Sequence, residues 1–323
     1  MLAKKLQIDR EGTLSQIKAD QQQVRDAYED HHAALTPYEE ANRLAPQLHD
    51  DRDYPSIDAL QATVPVDVSV PVNVVKDFID WRMFLLFWGF KGETLQQLLV
   101  NPEAEKTLAE GKQYLQHAID ENRIQVQMLC RYEPATRRGN DIVLEDGTLL
   151  PMLRSQSQTG HYLCLADYFN ERQPSPIGLF TVVARPVVQP ADDAERLMSH
   201  ALCARLAEAA AEWLQHSTVK ECSMVNGPWS MLRVAFGYAT CPDHSLKRIV
   251  FDRLDAEQQL GITLTDHYSI QPSTAVCGLF ICHPGARYFP VGRIDKAQFD
   301  DYCQRRGITK EEGEQLLSKY IVR

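Results

Sequence analysis

The chain has 323 residues, of which 44% are hydrophobic and 24% charged, a composition typical of a globular protein that buries a sizeable core. Its formal net charge of −10 argues against nucleic acid or an acidic membrane surface as a partner, because both attract a surplus of Lys and Arg. The N-terminal residues lack an apolar signal segment and the longest strongly apolar run, residues 83–90, is too short to span a bilayer, so we expect a cytoplasmic protein.

Two segments of different character precede the main body of the chain. Residues 1–35 are polar, with apolar residues at roughly helical intervals, which predicts a solvent-facing helical arm. Residues 36–72 carry five prolines and little periodicity, which predicts an extended strap lying over a body. We therefore divide the chain into an N-terminal arm and strap, residues 1–72, and a compact domain, residues 73–323.

The first half of this domain shows four clear patterns. Apolar residues fill nearly every position of residues 74–90, which predicts one helix buried on most sides. Asn101 and Pro102 are a cap and first-turn pair, which predicts a helix that begins there and runs for several turns. Alternation over residues 126–132 predicts a half-buried strand, and the pair Asp146-Gly147 between apolar runs predicts a β-hairpin.

The second half continues the mixed order of elements. The predicted elements are a strand over residues 177–183, a long amphipathic helix over 193–215, a helix over 245–260 ended by Gly261, adjacent strands over 275–282 and 288–294, and two C-terminal helices. The last helix is opened by a capping box formed by Thr309 and Glu312. Because helices and strands do not alternate regularly, we predict an α+β fold.

Two acidic residues stand out on the predicted helices. Asp80 lies inside the apolar run. Burial of a carboxylate without a partner costs roughly several kcal/mol in lost hydration, so Asp80 needs a partner if it is buried. It forms an internal salt bridge, lies exposed at the edge of the helix, or receives an ammonium group. Glu208 lies off the apolar stripe of its helix, where the simplest interpretation is a surface ion pair with Arg205, three residues earlier.

The segment 233–244 combines residues suited to a charged ligand. Arg233 offers a planar fork for a carboxylate, and Tyr238 offers a ring face that attracts a cation. Ala235 and Gly237 leave room for the backbone to approach a ligand. The structural alternative is a tight loop between a strand and a helix, capped by Asp243 or Ser245. The segment 282–289 is likewise read either as part of a site or as a turn between two strands.

A zinc site is the competing interpretation of these two segments. Cys241, His244, Cys282 and His283 are ligand types that zinc prefers. However, neighbours such as Cys282 and His283 point to opposite faces of a strand and rarely bind one ion together. The eight cysteines form no paired CxxC framework, so we expect mostly reduced, buried thiols. The sequence also lacks common hydrolase, NTPase and dinucleotide motifs.

Taken together, these segments resemble the C-terminal activation domain of cobalamin-dependent methionine synthase. The resemblance runs in order along nearly the whole chain from Tyr28 onward. It rests on residues 78–81, 162–168, 177–178, 205–209, 237–244, 276–279, 283–284, 287–288 and 291. Each segment is a weak signal alone, whereas the ordered set is specific.

The resemblance implies a C-shaped α+β domain, with a curved antiparallel sheet and surrounding helices, that binds S-adenosylmethionine in a shallow groove. It implies that Arg233 holds the carboxylate and Asp80 the ammonium group of this ligand. It further implies contacts from Ala235, Gly237, Glu208, Tyr238 and Tyr288. In that family, inactive cob(II)alamin is reduced by flavodoxin or a similar electron donor and methylated by S-adenosylmethionine, so the chain is expected to be a methyltransferase component of methionine biosynthesis.

Several positions depart from the family pattern. No DxHxxG segment is present to bind cobalamin, so we expect the cobalamin to be held by a partner in a split enzyme that is inactive without it. Family members often carry Pro where this chain has Val234, Phe236 and Ala239, and they can carry an acidic residue where it has Ala204. These departures favour the alternative of a non-catalytic S-adenosylmethionine-binding or scaffold module in a corrinoid methyltransferase complex. We expect no metal ligand and no catalytic side chain in the chain itself.

Overall fold

The computed structural model describes residues 35–48, 54–158, 161–226 and 230–322. The predicted polar arm lies outside these residues except for its last one. None of the helices in the described ranges combines the length and the apolar character needed to cross a bilayer.

The fold is α+β, as predicted, and is organised around one curved antiparallel sheet of seven strands. In chain order the strands are β1 Ser69–Val70, β2 Ile124–Arg138, β3 Asp141–Leu144, β4 Leu149–Pro151, β5 Ser175–Pro186 and β6 Met231–Ala235, then a separate hairpin of β7 Thr263–Leu264 and β8 Ile270–Gln271, and finally β9 Ala275–Cys282. The sheet order is β4-β3-β2-β5-β9-β6, and β1 pairs with β2. This order leaves β6 at an edge.

Helices cover the two faces of the sheet. They are α1 Tyr38–Arg43, α2 Ile57–Gln61, α3 Val72–Val75, α4 Trp81–Phe87, α5 Leu95–Leu98, α6 Pro102–Asp120, α7 Asp193–Asn226, α8 Lys247–Leu254, α9 Ala256–Leu260, α10 Lys296–Arg306 and α11 Lys310–Leu317. Short 3₁₀ turns lie at Lys76–Phe78, Leu165–Tyr168 and His244–Leu246.

The core consists of two apolar clusters, one on each face of the sheet. Successive side chains of β5 alternate between them: Leu179 packs in the cluster with α8 to α11, and Phe180 in the cluster with α4, α6 and α7. Both residues are at most 1% exposed. The central strands are therefore buried on both faces, which explains why β5 reads as a continuous apolar run.

Local sequence signals fixed several elements correctly. The Asn101 side chain accepts a hydrogen bond from the Glu103 amide at the start of α6. The turn at Asp146-Gly147 joins β3 to β4, and Gly147 has a φ of +86°. The capping box of Thr309 is present at α11. These predictions are confirmed because each depends on contacts within a few residues.

The single helix predicted over residues 74–90 is wrong. The chain forms α3, a 3₁₀ turn and α4, separated at Ile79, whose ψ of 122° is extended. Asp80 is the N-cap of α4, and its Oδ1 accepts from the amides of Arg82 at 2.9 Å and Met83 at 3.2 Å. An aspartate that caps a helix satisfies otherwise free amide groups, so the break is favourable. Asp80 is accordingly exposed and needs no internal salt bridge.

Three other boundaries also differ from prediction. Helix α7 continues to Asn226 rather than ending at residue 215. The helix predicted over 245–260 is a 3₁₀ turn followed by α8 and α9, which meet at Asp255 in the left-handed conformation (φ 50°). Residues 288–293 form an irregular segment instead of a strand, and only Ile294 makes a bridge, with Ile321.

The segment predicted as an extended strap contains the short helices α1 and α2 and is fastened to the body by polar contacts. The Asn42 side chain accepts from Arg154, a fully buried residue whose guanidinium also pairs with Asp167 at 2.7 Å. The Tyr38 amide donates to Asp295 at 3.0 Å and its hydroxyl to Asp301 at 2.6 Å. Helix α1 is thus tied to residues far away in the chain.

Candidate functional site

A groove of about 630 Å³ lies between the start of α4, the middle of α7 and strand β6. Its volume is within the usual range for a site that binds a small molecule. The lining residues are Phe78, Asp80, Met83, Arg205, Glu208, Ala209, Glu212, Arg233, Ala235, Tyr238 and Tyr288. Six of the seven predicted site residues are in this lining, and Gly237 is the one that is not.

Asp80 lies in the groove because it begins α4. Its Oδ1 is used by the two amide groups at the helix start, whereas Oδ2 has no hydrogen-bond partner among the described residues. The carboxylate is therefore held in place by one oxygen and presents the other to the groove. This arrangement suits an acceptor for a cationic group.

Arg233 is held by two carboxylates from α7. Its Nη1 donates to Glu208 at 2.8 Å and its Nη2 to Glu212 at 3.0 Å. Glu208 and Glu212 are one helical turn apart, so both reach the same guanidinium. The predicted surface pair of Glu208 with Arg205 is therefore wrong, because the tertiary contact with β6 takes precedence.

Strand β6 divides its side chains between the groove and the core. Arg233 and Ala235 face the groove, while Val234 and Phe236 are 1% exposed and pack in the core on the opposite face. Since side chains alternate along a strand, the two departures from the family pattern at Val234 and Phe236 do not narrow the groove.

The loop after β6 makes a tight turn. Gly237 has a φ of +89°, and its amide donates to the carbonyl oxygen of Cys241 at 2.7 Å. That amide is already used, so any backbone contact from Gly237 to a ligand has to be made by its carbonyl oxygen. The turn also brings Tyr238, 57% exposed, to the mouth of the groove.

Tyr288 reaches the groove from a different part of the chain. The Val291 amide donates to the Ala239 carbonyl at 2.8 Å, and the Thr240 hydroxyl donates to the Phe289 carbonyl at 2.5 Å. These bonds fasten the irregular segment 288–293 to the turn after β6. They place the exposed ring of Tyr288 beside the same groove as Tyr238.

Electrostatically, the groove favours a ligand with a net positive charge. Three carboxylates, those of Asp80, Glu208 and Glu212, face two guanidinium groups, those of Arg205 and Arg233, which leaves one negative charge. Partial burial, with a further contribution from the charge of Glu208, raises the pKa of Tyr238 above its ordinary value. Tyr238 therefore stays a neutral phenol whose ring face attracts cations.

His244 lies behind the turn and packs against its backbone. Its Nδ1 is 2.6 Å from the Nζ of Lys247, which also donates to the carbonyl oxygen of Tyr268 at 2.9 Å. An ammonium group only donates, so Nδ1 accepts and the proton of the neutral ring is on Nε2. Burial, followed by the charge of Lys247, lowers the pKa of His244. Asp243 caps the following turn through the Ser245 amide, as the structural alternative predicted.

The four candidate zinc ligands do not come together. Cys241 packs in the core cluster on one face of the sheet and Cys282 in the cluster on the other. His283 uses Nε2 to contact the Leu48 carbonyl and Nδ1 to accept from the Gly285 amide. No group of three or more His, Cys, Asp or Glu side chains within the described ranges is placed to hold a metal ion. The seven cysteines whose side chains the structure describes are buried, and no disulfide bond joins any two of them.

Sequence reasoning missed five residues of the groove: Phe78, Met83, Arg205, Ala209 and Glu212. Glu212 had a usable signal, because it lies four residues after Glu208 on the same helix face. Phe78 and Met83 had none, since they were assigned to one continuous buried helix. Their exposure to the groove follows from the break at Asp80.

The fold and the groove define an α+β domain with a charged groove, of a size that suits a small molecule, at the edge of a curved antiparallel sheet. Over residues 71–307 the sequence matches the family described as the activation domain of vitamin B12 dependent methionine synthase. The chain belongs to this family. It is also similar to a solved structure of the MetH reactivation domain bound to AdoHcy, with a TM-score of 0.73 and 25% identity, over 90% of this chain and 99% of that one.

Proposed function

We propose that the chain binds S-adenosylmethionine in this groove and is the reactivation subunit of a split cobalamin-dependent methionine synthase. The observation that carries the proposal is the convergence of Asp80, Glu208, Arg233, Ala235, Tyr238 and Tyr288 on one groove, although they come from four separate parts of the chain. The similar MetH domain was solved with AdoHcy, the demethylated form of this ligand, which supports the choice.

The charges of the groove match those of the ligand. S-adenosylmethionine carries a carboxylate, an ammonium group and a sulfonium, one net positive charge, and the groove carries one net negative charge. Arg233 offers guanidinium N–H groups to the carboxylate. Asp80 offers its Oδ2 to the ammonium group, and the rings of Tyr238 and Tyr288 offer faces to the sulfonium.

The part played by this chain is to hold and orient the ligand. When bound, S-adenosylmethionine supplies a sulfonium methyl group for transfer to cobalamin that a one-electron donor, such as flavodoxin, has reduced. The groove lies at the surface between two exposed tyrosines, so a second protein can approach the ligand directly. Bringing methyl group and cobalt into line accounts for the expected rate enhancement.

In this proposal the cobalamin is held by a cobalamin-binding methionine synthase subunit, and the complex works in the cytoplasm. Family membership supports the first point, since an activation domain acts on the cobalamin of its synthase. Because the chain has a net charge of −10, it repels an acidic flavodoxin unless the surface at which the two dock carries a basic patch.

Calorimetric titration of S-adenosylmethionine into the chain tests the binding step. We expect binding to the unaltered chain and a loss of about 10- to 100-fold in Arg233→Ala, the value of a charge-assisted hydrogen bond. Arg248→Ala is the matched control, because Arg248 also pairs with two carboxylates but lies on α8, away from the groove. If Arg233→Ala and Arg248→Ala bind S-adenosylmethionine with equal affinity, Arg233 does not contact the ligand.

A second experiment separates the reactivation subunit from a non-catalytic binding or scaffold module. The chain is mixed with a cob(II)alamin-loaded partner subunit, a reductant and S-adenosylmethionine, and formation of methylcobalamin is followed by absorbance. Methylation that requires the chain supports reactivation. Ligand binding without methylation supports the scaffold module, an alternative motivated by Ala204, which stands one turn before Glu208 where family members can carry an acidic residue.

A further inference from the structure

We infer that Glu212 acts as an internal competitor of the ligand: in the free protein its carboxylate occupies Arg233, and a ligand carboxylate has to displace it. This inference rests on the proposed function, because it concerns the same groove. It assigns to Glu212 the role of setting affinity for ligands that carry a carboxylate.

The geometry around Arg233 provides the first step. Both terminal nitrogens of the guanidinium are in use, Nη1 by Glu208 and Nη2 by Glu212. The most favourable complex of an arginine with a carboxylate is a fork of two parallel hydrogen bonds. A ligand carboxylate that forms such a fork through the terminal nitrogens has to replace at least one of the two glutamates.

Charge provides the second step. One guanidinium group beside two carboxylates already leaves a net negative charge at this point of the groove. A third carboxylate brought to the same guanidinium adds repulsion from both glutamates, since like charges at contact distance disfavour each other. Removal of one glutamate from the guanidinium relieves much of this repulsion.

Exposure decides which glutamate leaves. The Glu212 side chain is 49% exposed and that of Glu208 is 33% exposed, so Glu212 is the more easily hydrated. The Glu212 contact is also the longer of the two, 3.0 Å against 2.8 Å. An exposed ion pair contributes little net stability, so its loss costs little and water takes over the carboxylate.

The test compares two ligands on the variant Glu212→Gln, which keeps the size of the side chain and removes its charge. S-adenosylmethionine carries the carboxylate, whereas decarboxylated S-adenosylmethionine keeps the ammonium and sulfonium groups without it. We expect Glu212→Gln to bind S-adenosylmethionine about 2- to 5-fold more tightly than the unaltered chain does, in line with the loss of an exposed pair. We expect the same variant to bind the decarboxylated ligand more weakly, because a negative charge that attracts it is gone.

Two outcomes of this titration overturn the inference. Weaker binding of both ligands would mean that Glu212 contacts the cationic groups or holds Arg233 in place. Unchanged binding of both would mean that Glu212 takes no part. Glu121→Gln, an exposed glutamate at the end of α6, is the matched control and should leave both affinities unchanged.

A measurement without ligand keeps this inference separate from the proposed function. Phenylglyoxal modifies arginine side chains that are free of ion pairs, and peptide mapping reports its rate at Arg233. We expect Glu212→Gln to raise that rate in the free protein. An unchanged rate would overturn the inference even if S-adenosylmethionine binds, whereas failure of the unaltered chain to bind S-adenosylmethionine would instead overturn the proposed function.

Discussion

The imidazole ring of His244 occupies the space in which a side chain at Gly237 would begin. A Cβ atom built on Gly237 would lie 1.8 Å from Cε1 of His244 and 2.3 Å from both ring nitrogens. Gly237 also has a φ of +89°, which other residues rarely adopt. Position 237, in the turn between β6 and His244, therefore requires glycine for two separate reasons: the lack of space for a Cβ and the positive φ.

Gly237→Ala is expected to lower the free energy of unfolding by about 1–3 kcal/mol, because the added methyl group meets the His244 ring. It is also expected to weaken S-adenosylmethionine binding, because the turn carries Tyr238. Chemical denaturation and calorimetry measure the two effects. Gly139→Ala is the control for backbone strain alone, since Gly139 has a φ of +60° and no atom within 4 Å of the added Cβ.

The double variant Gly237→Ala with His244→Gly separates the two requirements. Removing the ring takes away the steric conflict, so adding Gly237→Ala to His244→Gly should cost roughly what Gly139→Ala costs in the unaltered chain. If Gly237→Ala costs as much in the His244→Gly variant as in the unaltered chain, the ring contact is not the source of the loss.

Stability should depend on pH through His244. Burial and the charge of Lys247 lower its pKa in the folded state, so the unfolded chain takes up this proton at higher pH than the folded chain does. As the pH falls through about 6.5, the ordinary histidine value, the free energy of unfolding should therefore decrease, and the decrease should end below the lowered pKa. Urea denaturation at several pH values between about 5 and 8 measures this decrease in the free energy of unfolding.

His244→Gln should remove part of this pH dependence, because glutamine does not titrate. His267→Gln, an exposed histidine on the hairpin of β7 and β8, is the matched control and should keep the slope. A slope that survives in His244→Gln would assign the pH dependence to other groups.

Asp80 should have two separable roles, as helix cap and as ligand contact. Asp80→Asn keeps a side-chain oxygen for the amides of Arg82 and Met83, so stability should change little. The same variant lacks the negative charge and should lose roughly 10-fold or more in affinity for S-adenosylmethionine. Asp80→Ala should lose both properties, with about 0.5–2 kcal/mol in stability. Thermal unfolding and calorimetry on both variants check this, and equal binding by Asp80→Asn and the unaltered chain would rule out the ammonium contact.

Arg154→Met should destabilise the fold strongly. Arg154 is fully buried, and its guanidinium donates to both oxygens of Asp167 at 2.7 Å. Removing the cation leaves the buried carboxylate of Asp167 with Arg137 and the Cys164 amide as partners, which costs about 3–5 kcal/mol. Adding Asp167→Asn to Arg154→Met should recover part of the loss in chemical denaturation. Arg248→Met, at an exposed ion pair, should cost at most about 1 kcal/mol.

The parts of the fold that could be predicted from sequence are those fixed by neighbours in the chain. The cap at Asn101, the turn at Asp146-Gly147 and the capping box at Thr309 all depend on contacts over a few residues. The part of α7 beyond residue 215 was missed, and a residue in it contacts a distant part of the chain: the hydroxyls of Thr218 and Thr63 are 2.7 Å apart. The apolar composition of residues 74–90 concealed the capping role of Asp80.

The site itself was predictable only through the resemblance to a family. Asp80 and Tyr288 both line the groove although they lie at opposite ends of the described domain in sequence. No periodic pattern in the sequence predicts that they are close in space. The contacts between Arg233 and the two glutamates depend on how α7 packs beside β6. Side-chain chemistry alone suggested a ligand with charges of both signs at residues 233–238, and the fold supplied the remaining groups.

The contacts that hold helix α1 on the body affect the order in which parts of the fold can form during synthesis. Tyr38 is among the first described residues to leave the ribosome, and its partners Asp295 and Asp301 are among the last. At a translation rate of roughly 5–20 residues per second, α1 waits on the order of ten to fifty seconds for them. During that interval the Tyr38 amide lacks the aspartate that it bonds in the finished fold, so this attachment of α1 is completed as a late step.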